Sequence, residues 1–533
     1  MKHLRVLVII LLVFGIEGIA QVIHYPTESW EAYQSYRSSI LSNYKKGIDV
    51  QQNLFKRRMY SPDDSIMLLE AQHDRESHKP LLKLFYKDNE NFFKSEEKDK
   101  YVIIVNPVFH FASGSQDTGM VYRNTRGAEI MGNIGGLKRG IGFYSLFTEN
   151  QELMPTPYQY FTDSLNFVPN ELSFKRFKNK GAVDFFQARG YITFNAAQNH
   201  IKLKFGHDKN KIGNGYRSLI LSDYAPQYLF FKINTDVGKF HYQNLFTQFT
   251  DNGPILSNVL YGKRYSAMHR LSFDVRPNIN VGINEMVIFD RIDSAQSNQF
   301  DFNYLNPVIF YRSIESNLGS RDNSLMALDW HWSIMNRYVF YGQLLLDEFN
   351  LKFLKSEPNW WANKYGYQIG AKAFNLGGLK NLDVLVEYNR VRPYTYSHMR
   401  PTQSYAHFNQ ALAHPLGSNF SEGVFDAKYS FNNRLFVSGT LVIATLGRDS
   451  SLNGSNYGSN ILRSYNTRVT ENNSLMFMGL RTNLVIYNIQ VSYRLRYNLY
   501  VDARYNQRQS NDANTMFFSL GLRINTSIRK FDY

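Results

Sequence analysis

The run Val485-Ile486-Tyr487-Asn488-Ile489-Gln490-Val491-Ser492-Tyr493-Arg494-Leu495-Arg496-Tyr497, continued by Leu499-Tyr500-Val501-Asp502-Ala503-Arg504-Tyr505-Asn506-Gln507-Arg508, decides the fold class. Its odd positions through Tyr505 are apolar or aromatic, while its even positions are mostly polar and include Arg494, Arg496, Arg504 and Arg508. Successive side chains of a strand face opposite sides of the sheet, so each segment has one apolar face and one largely charged face. In water this suits a sheet solvated on one side. In a bilayer it suits a closed barrel with lipid outside and a polar lumen.

The same alternation recurs upstream. Phe186, Ala188, Gly190, Ile192 and Phe194 alternate with Gln187, Arg189, Tyr191, Thr193 and Asn195, and Ile201, Leu203 and Phe205 alternate with Lys202 and Lys204. Arg or Lys on a lipid face costs about 2–4 kcal/mol at the bilayer midplane, so the charged faces are expected to be the inner ones. The expected lumen gathers Arg189, Lys202, Lys204, Arg494, Arg496, Arg504, Arg508 and Arg523, offset by Asp383, Glu387 and Asp502. Such charges suit either a salt-bridged wall or a basic surface for an anionic ligand.

From Tyr101 onward there are about eighteen strand-like segments, an even number within the range of bacterial barrels. Their connections sort by parity. Residues 151–182, 208–227, 291–323, 350–364, 394–418 and 447–473 fall at odd positions and are mostly long. Ala197-Gln198-Asn199-His200, Asp236-Val237-Gly238-Lys239, Met335-Asn336-Arg337 and Asn432-Asn433-Arg434 fall at even positions and read as tight turns. A soluble sandwich has no reason to sort loops this way, whereas an outer-membrane barrel does. The last segment, Phe518 to Asn525, also alternates, and the chain ends in Tyr533, an aromatic of the kind that insertion machinery reads. The fold class is therefore all-β: a transmembrane antiparallel barrel of about eighteen strands.

The N-terminus fits export. Lys2 and Arg5 precede the apolar run Val6 to Phe14, too short to span a bilayer as a helix, and Gly18-Ile19-Ala20 supplies the small residues of a cleavage site. Residues 1–20 are expected to be a signal peptide. Residues 21–98 read as a small helical plug or periplasmic segment: Trp30, Tyr33, Ile40, Leu41 and Tyr44 recur at helical spacing, as do Ile66, Leu69, Leu81, Leu82 and Phe85 in shorter pieces. Residues 99–533 form the barrel.

The 533 residues contain no cysteine, which excludes disulfides and a lipid-anchor cysteine, and the mean hydropathy is −0.39. An aromatic content of 15% fits the girdles of a barrel and also glycan-binding surfaces. The formal charge is +15; loss of Lys2, Arg5 and Glu17 with the signal leaves +14. A basic exported chain suits anionic lipid or acidic polysaccharide. Nucleic acid is not an expected partner, because the chain leaves the cytoplasm and has no helical basic stripe.

Four loop segments are more distinctive than generic barrel sequence. The third long-side connection reads Gly206-His207-Asp208-Lys209-Asn210-Lys211-Ile212-Gly213-Asn214-Gly215-Tyr216-Arg217-Ser218-Leu219-Ile220-Leu221-Ser222-Asp223-Tyr224-Ala225-Pro226. The fifth holds Phe300-Asp301-Phe302-Asn303-Tyr304-Leu305-Asn306-Pro307 and Phe310-Tyr311-Arg312. Strand eleven and its loop read Tyr341 to Phe349, then Trp360-Trp361-Ala362-Asn363-Lys364-Tyr365-Gly366; the seventh loop holds Arg392 to His398 and His414-Pro415-Leu416-Gly417. In this combination and order, residues 100–533 resemble the Wzi-type capsule-assembly family, in the branch that includes the RemB-like gliding-motility proteins. The resemblance implies an outer-membrane barrel of eighteen strands, closed by loops and an N-terminal helical element. It also implies binding of surface polysaccharide as a lectin, support of capsule assembly, and contact with motility or export machinery.

Acidic glycans need cations for carboxylates, aromatic faces for sugar rings, and carboxylates or amides for hydroxyls. Lys209, Lys211, Arg217 and Asp223 of the Gly-rich loop supply these groups, although the same loop suits a structural plug. Trp360 and Trp361 suit either sugar stacking or the aromatic girdle, the commoner place. His398, His407 and His414 share one loop, at spacings that match no common metal signature, so no metal or other cofactor is expected. No nucleophile elbow, phosphate loop or zinc-protease helix is present, and Asp347 and Glu348, as neighbours on a strand, face opposite sides. The expected function is thus non-enzymatic glycan binding. The rival is a solute channel, since a barrel this wide can hold an aqueous pore.

Overall fold

The computed structural model describes Arg37 and residues 92–533, except 98–99, 136–140, 177–180, 198–199, 252–260, 292–298, 307–310, 312–321, 348–354, 450–453 and 497. The expected signal peptide and nearly all of the expected helical section lie outside the described residues.

Eighteen long strands make the wall. The first six are β1 (Tyr101–Gln116), β2 (Gly119–Ile134), β3 (Ile141–Leu153), β4 (Ala182–Ala196), β5 (Ile201–Asp208) and β6 (Tyr228–Val237). Next come β7 (Phe240–Thr250), β8 (Lys263–Arg276), β9 (Ile279–Phe289), β10 (Asn323–Ile334), β11 (Tyr338–Asp347) and β12 (Tyr365–Ala373). The last are β13 (Leu382–Val391), β14 (Phe420–Ser430), β15 (Leu435–Arg448), β16 (Leu480–Arg496), β17 (Leu499–Ser510) and β18 (Asn514–Ile524). Each pairs antiparallel with its sequence neighbour, and β1 meets β18 with Phe109 opposite Ile524. Closure satisfies the backbone groups that an open edge would leave bare in lipid. Below that seam the free edge of β1 pairs with a short strand, Phe93–Glu97, so the sheet begins inside the section read as pre-barrel.

Side chains follow the alternation. In β16, Tyr487, Ile489, Tyr493 and Leu495 are exposed on the outside, whereas Thr482, Leu484, Ile486 and Ser492 are buried inside. In β4 and β5, Phe186, Ile192 and Phe205 point outward while Tyr191, Thr193, Asn195 and Lys204 point inward. A closed wall with an apolar exterior is the architecture of the Gram-negative outer membrane.

Loop parity holds as well. All even connections are short, the longest being 374–381, and their chemistry is that of tight turns. Met335 and Asn336 are successive left-handed residues (φ 52° and 53°), the backbone of a type I′ hairpin turn. Asn432 Oδ1 accepts the backbone N–H groups of Arg434 and Leu435, each at 2.8 Å. Seven odd connections are long; only 117–118 and 511–513, flanking the seam, are tight. By the general asymmetry of such barrels, the long-loop end is extracellular.

The lumen has two storeys, a departure from the uniformly polar interior the alternation suggested. In the lower, periplasmic half, charges neutralise one another: Arg270–Asp329 (3.0 Å), Arg523–Asp502 (2.8 Å), Lys202–Asp236 (2.7 Å). Arg37, from the N-terminal section, reaches Asp383 at 2.8 Å. In the upper half many inward positions are apolar, among them Phe230, Met268, Met286, Leu345 and Val442, and they pack against loop residues. A wall that faces folded chain rather than water is composed like any protein core.

Candidate functional site

Three segments fill the upper lumen. The first is the Gly-rich connection 209–227. Its tip is held from below by Glu387 of β13, whose carboxylate accepts the backbone N–H groups of Tyr216 (2.7 Å) and Arg217 (3.0 Å) and the Tyr341 hydroxyl (2.7 Å). Gly215 permits this approach, since a Cβ there would stand 2.4 Å from Glu387 Oε2. Leu219 N–H donates to Gln343 at 2.7 Å, and Leu219, Ile220 and Leu221 are fully buried.

The loop's charged residues, read from sequence as ligand groups or as parts of a structural plug, all have partners inside the lumen. Arg217 is only 7% exposed, and its guanidinium lies 3.0 Å from Glu422 and 3.3 Å from Asp532. Burial opposes its charge, but Asp532 and Glu422 outweigh burial and hold it protonated. Lys209 donates to the carbonyls of Asn170 (3.1 Å) and Asp223 (3.2 Å). Lys211 donates to Tyr216 O at 3.2 Å and stands 3.8 Å from Asp223. Burial would raise the Asp223 carboxyl, yet Lys211, Lys530 and Lys209 together hold it well below the usual carboxylate range. All four residues are tied into the plug.

The second segment is 392–419. Tyr396 and Tyr405 stack at 5.7 Å, and their hydroxyls donate to Leu219 O and Ile220 O, each at 2.7 Å, which binds the two loops together. Asp347 of β11 faces inward, 3.0 Å from the fully buried Lys364, and accepts Tyr396 N–H at 2.6 Å. The three histidines each have structural partners. His407 Nδ1 accepts Thr250 N–H (3.0 Å) and its Nε2 faces Gln227 O (3.1 Å). His414 Nδ1 accepts Leu416 N–H (3.2 Å) with Nε2 2.8 Å from Glu422, and His398 Nδ1 accepts Arg400 N–H (3.2 Å). No cluster of three or more His, Asp or Glu fit for a metal occurs among the described residues.

The third segment is the C-terminus itself. β18 ends at Ile524, and Asn525 N–H donates to Asn498 O in a periplasmic turn; from there the chain turns back up through the lumen. Arg504 donates to Arg529 O and Asn506 to Phe531 O (2.9 Å), so the tail climbs along the inner face of β17. Arg529 is held by Glu152 (3.3 Å) and Glu171 (3.1 Å), and Asp532 by Arg217. Tyr533 ends in an aromatic nest with Tyr224 (5.0 Å), Tyr158 (5.5 Å) and Phe161 (5.8 Å), the last two from helix α1 (Thr156–Asp163). The terminal aromatic thus lies inside the lumen, nine residues beyond the end of the last strand. The alternation cannot reveal a tail that leaves the sheet.

Above the plug, connections 348–364, 392–419 and 449–479 meet at the extracellular surface. Trp360 and Trp361 lie here, against loop residues, and not in the outer girdle. The half-buried Trp361 indole has Arg468 4.3 Å from its centroid, Tyr465 at 4.8 Å and Tyr394 edge-on at 6.2 Å. The Trp361 backbone N–H donates to Glu471 O (2.9 Å), while Arg392 donates to Trp360 O (3.4 Å) and Ser474 O (3.1 Å). Tilted and edge-on aromatic rings with the Arg468 guanidinium alongside, itself paired with Glu471, can take a sugar ring and an acid group together. Sequence reading singled out the tryptophans but missed Tyr465 and Arg468, which lie about a hundred residues further on in a loop without a motif.

No protein-family model matches the chain, and no curated protein matches it. Among solved structures, the chain is similar to Wzi of Escherichia coli, described as an outer-membrane protein involved in group 1 capsule assembly and a carbohydrate-binding β-barrel. The TM-score is 0.53 at 13% identity, over 96% of this chain and 100% of that one. OprD of Pseudomonas aeruginosa (TM-score 0.43, 8% identity, 81% of this chain and 96% of that one) and OccAB2 of Acinetobacter baumannii (0.44, 10%, 80% and 99%) also match. At these identities the likeness concerns the fold.

Proposed function

We propose that this barrel is a non-enzymatic glycan-binding protein of the cell surface, whose ligand is an anionic polysaccharide. The observation that carries the reading is the extracellular cluster Trp360, Trp361, Tyr394, Tyr465 and Arg468, set above a lumen filled by its own chain. Capsule assembly or attachment is the cellular setting this reading favours, with a part in gliding motility as its extension. Binding by the structurally similar Wzi of a carbohydrate supports the ligand class. A solute channel fits less well, because connections 209–227 and 392–419 form one apolar core with the upper wall. A glycan array probed with detergent-solubilised protein tests the reading: retention of acidic polysaccharides is expected, and retention of none would remove it.

A further inference from the structure

One row of the outer wall is unsuited to lipid. Asn244 of β7, His269 of β8 and Glu285 of β9 stand directly opposite one another. They face outward, since the alternate residue Arg270 points into the lumen, where it pairs with Asp329. The row continues into Ile233 of β6 and Met326 of β10, ordinary apolar wall positions. Ionisable groups on a lipid face are costly.

All three polar residues are nevertheless buried, because described parts of the connection 290–322 fold down over them. Tyr311 donates its backbone N–H to Glu285 at 2.7 Å, and its hydroxyl contacts His269 Nε2, while His269 Nδ1 lies 2.7 Å from the Tyr242 hydroxyl. Tyr304 and Tyr311 are fully buried against the outward-facing Phe246, Ala267, Val287 and Phe289. At the rim Arg291 grips Asp301 (3.0 Å) and Asp322 (2.8 Å), and the Tyr304 hydroxyl donates to Asp322 at 2.6 Å. On the side away from the wall, Phe302 is 77% exposed and Leu305 44%.

We propose that residues 299–306 together with Tyr311 form a strap immersed in the outer leaflet, an interaction surface whose partner is lipid acyl chain. Its inner face seals the polar row. Its outer face exposes Phe302 and Leu305 beside the amides Gln299, Asn303 and Asn306, and the adjoining wall strands expose Ile283, Met326 and Leu328. This connection, expected from its length to stand outside the cell, thereby belongs to the membrane-facing wall and not to the mouth.

The absence of native cysteine makes the test direct. Phe302→Cys and, as the control in connection 348–364, Lys355→Cys are made in the full chain, labelled with a bimane fluorophore in detergent and reconstituted into phosphatidylcholine vesicles. The fluorophore at 302 should be quenched by doxyl-labelled lipid and spared by iodide, with the reverse at 355. Leu305→Cys should behave as 302 does. Adding Tyr311→Ala should release the strap and raise iodide quenching at 302 severalfold in a barrel that still shifts on heating. Iodide quenching without lipid quenching at 302 and 305, or indifference to Tyr311→Ala, overturns the proposal.

Discussion

Arg217 and Asp532, 315 residues apart in sequence, meet inside the barrel, the guanidinium 3.3 Å from the carboxylate and donating as well to the Asp532 backbone carbonyl. Through this contact the Gly-rich loop and the C-terminal tail are joined inside the lumen. Glu422 completes the arrangement: it accepts from Arg217 and faces His414 and Asn389, so wall, both loops and tail share one buried charge network.

Arg217→Ala would leave Glu422 and Asp532 buried without their cation. Breaking a buried pair in this way costs about 3–5 kcal/mol. The expected outcome is a lower temperature for the heat-induced gel shift and faster proteolysis within 209–227. Unchanged heat-stability with lost polysaccharide binding would instead return Arg217 to the role the sequence suggested.

Deletion of residues 527–533 leaves β18 whole. The variant should insert into the outer membrane, because the wall and its seam need only residues up to Ile524, but its loops should become sensitive to external protease. Failure to insert at all would show that the terminal Tyr533 is read by the insertion machinery.

Planar-bilayer recordings of the mature protein should show little current, and the 527–533 deletion should raise it. Steady porin-like conductance in the intact protein would favour the channel reading.

Acid should loosen the plug. Burial pushes His407 down to about 3, and His414 is also lowered, by burial first and against the pull of Glu422. Above about pH 6.5 both histidines are neutral whether folded or unfolded, so they add no pH dependence. Between 6.5 and about 3 the unfolded chain takes up a proton at His407 that the folded one refuses, so stability falls as pH falls, by about 1 kcal/mol per unit, and His414 acts in the same direction. The gel-shift temperature should therefore drop between pH 7 and pH 5, and His407→Gln should flatten that slope in part.

What the sequence disclosed and what it hid follow from one physical distinction. A strand facing lipid must be apolar on alternate positions whatever else it does, so Tyr487, Ile489, Phe186 and Phe205 declare the wall, its faces and its loop parity. The plug obeys no such period. Arg217 looks like a ligand group because its partners Glu422 and Asp532 are contributed by remote segments, and Lys209 and Lys211 do so because most of their acceptors are backbone carbonyls that leave no mark in the sequence; nothing near Tyr533 announces a chain that turns back inside. Arg468 and Tyr465 reach Trp361 only through folded loops. The polar row Asn244, His269 and Glu285 was legible in principle, as three polar residues on outward positions, but only once strand register was known.

The extracellular aromatic cluster is probed by equilibrium binding of a purified acidic surface polysaccharide to wild type, Trp361→Ala and Arg468→Ala. Both variants lie above the plug and should keep the wild-type gel shift. Binding should weaken as salt rises, since partly exposed charges are screened over about 8 Å at physiological ionic strength, and should fall roughly tenfold in each variant, about 1.4 kcal/mol. Wild-type affinity in both variants would contradict glycan binding by this cluster.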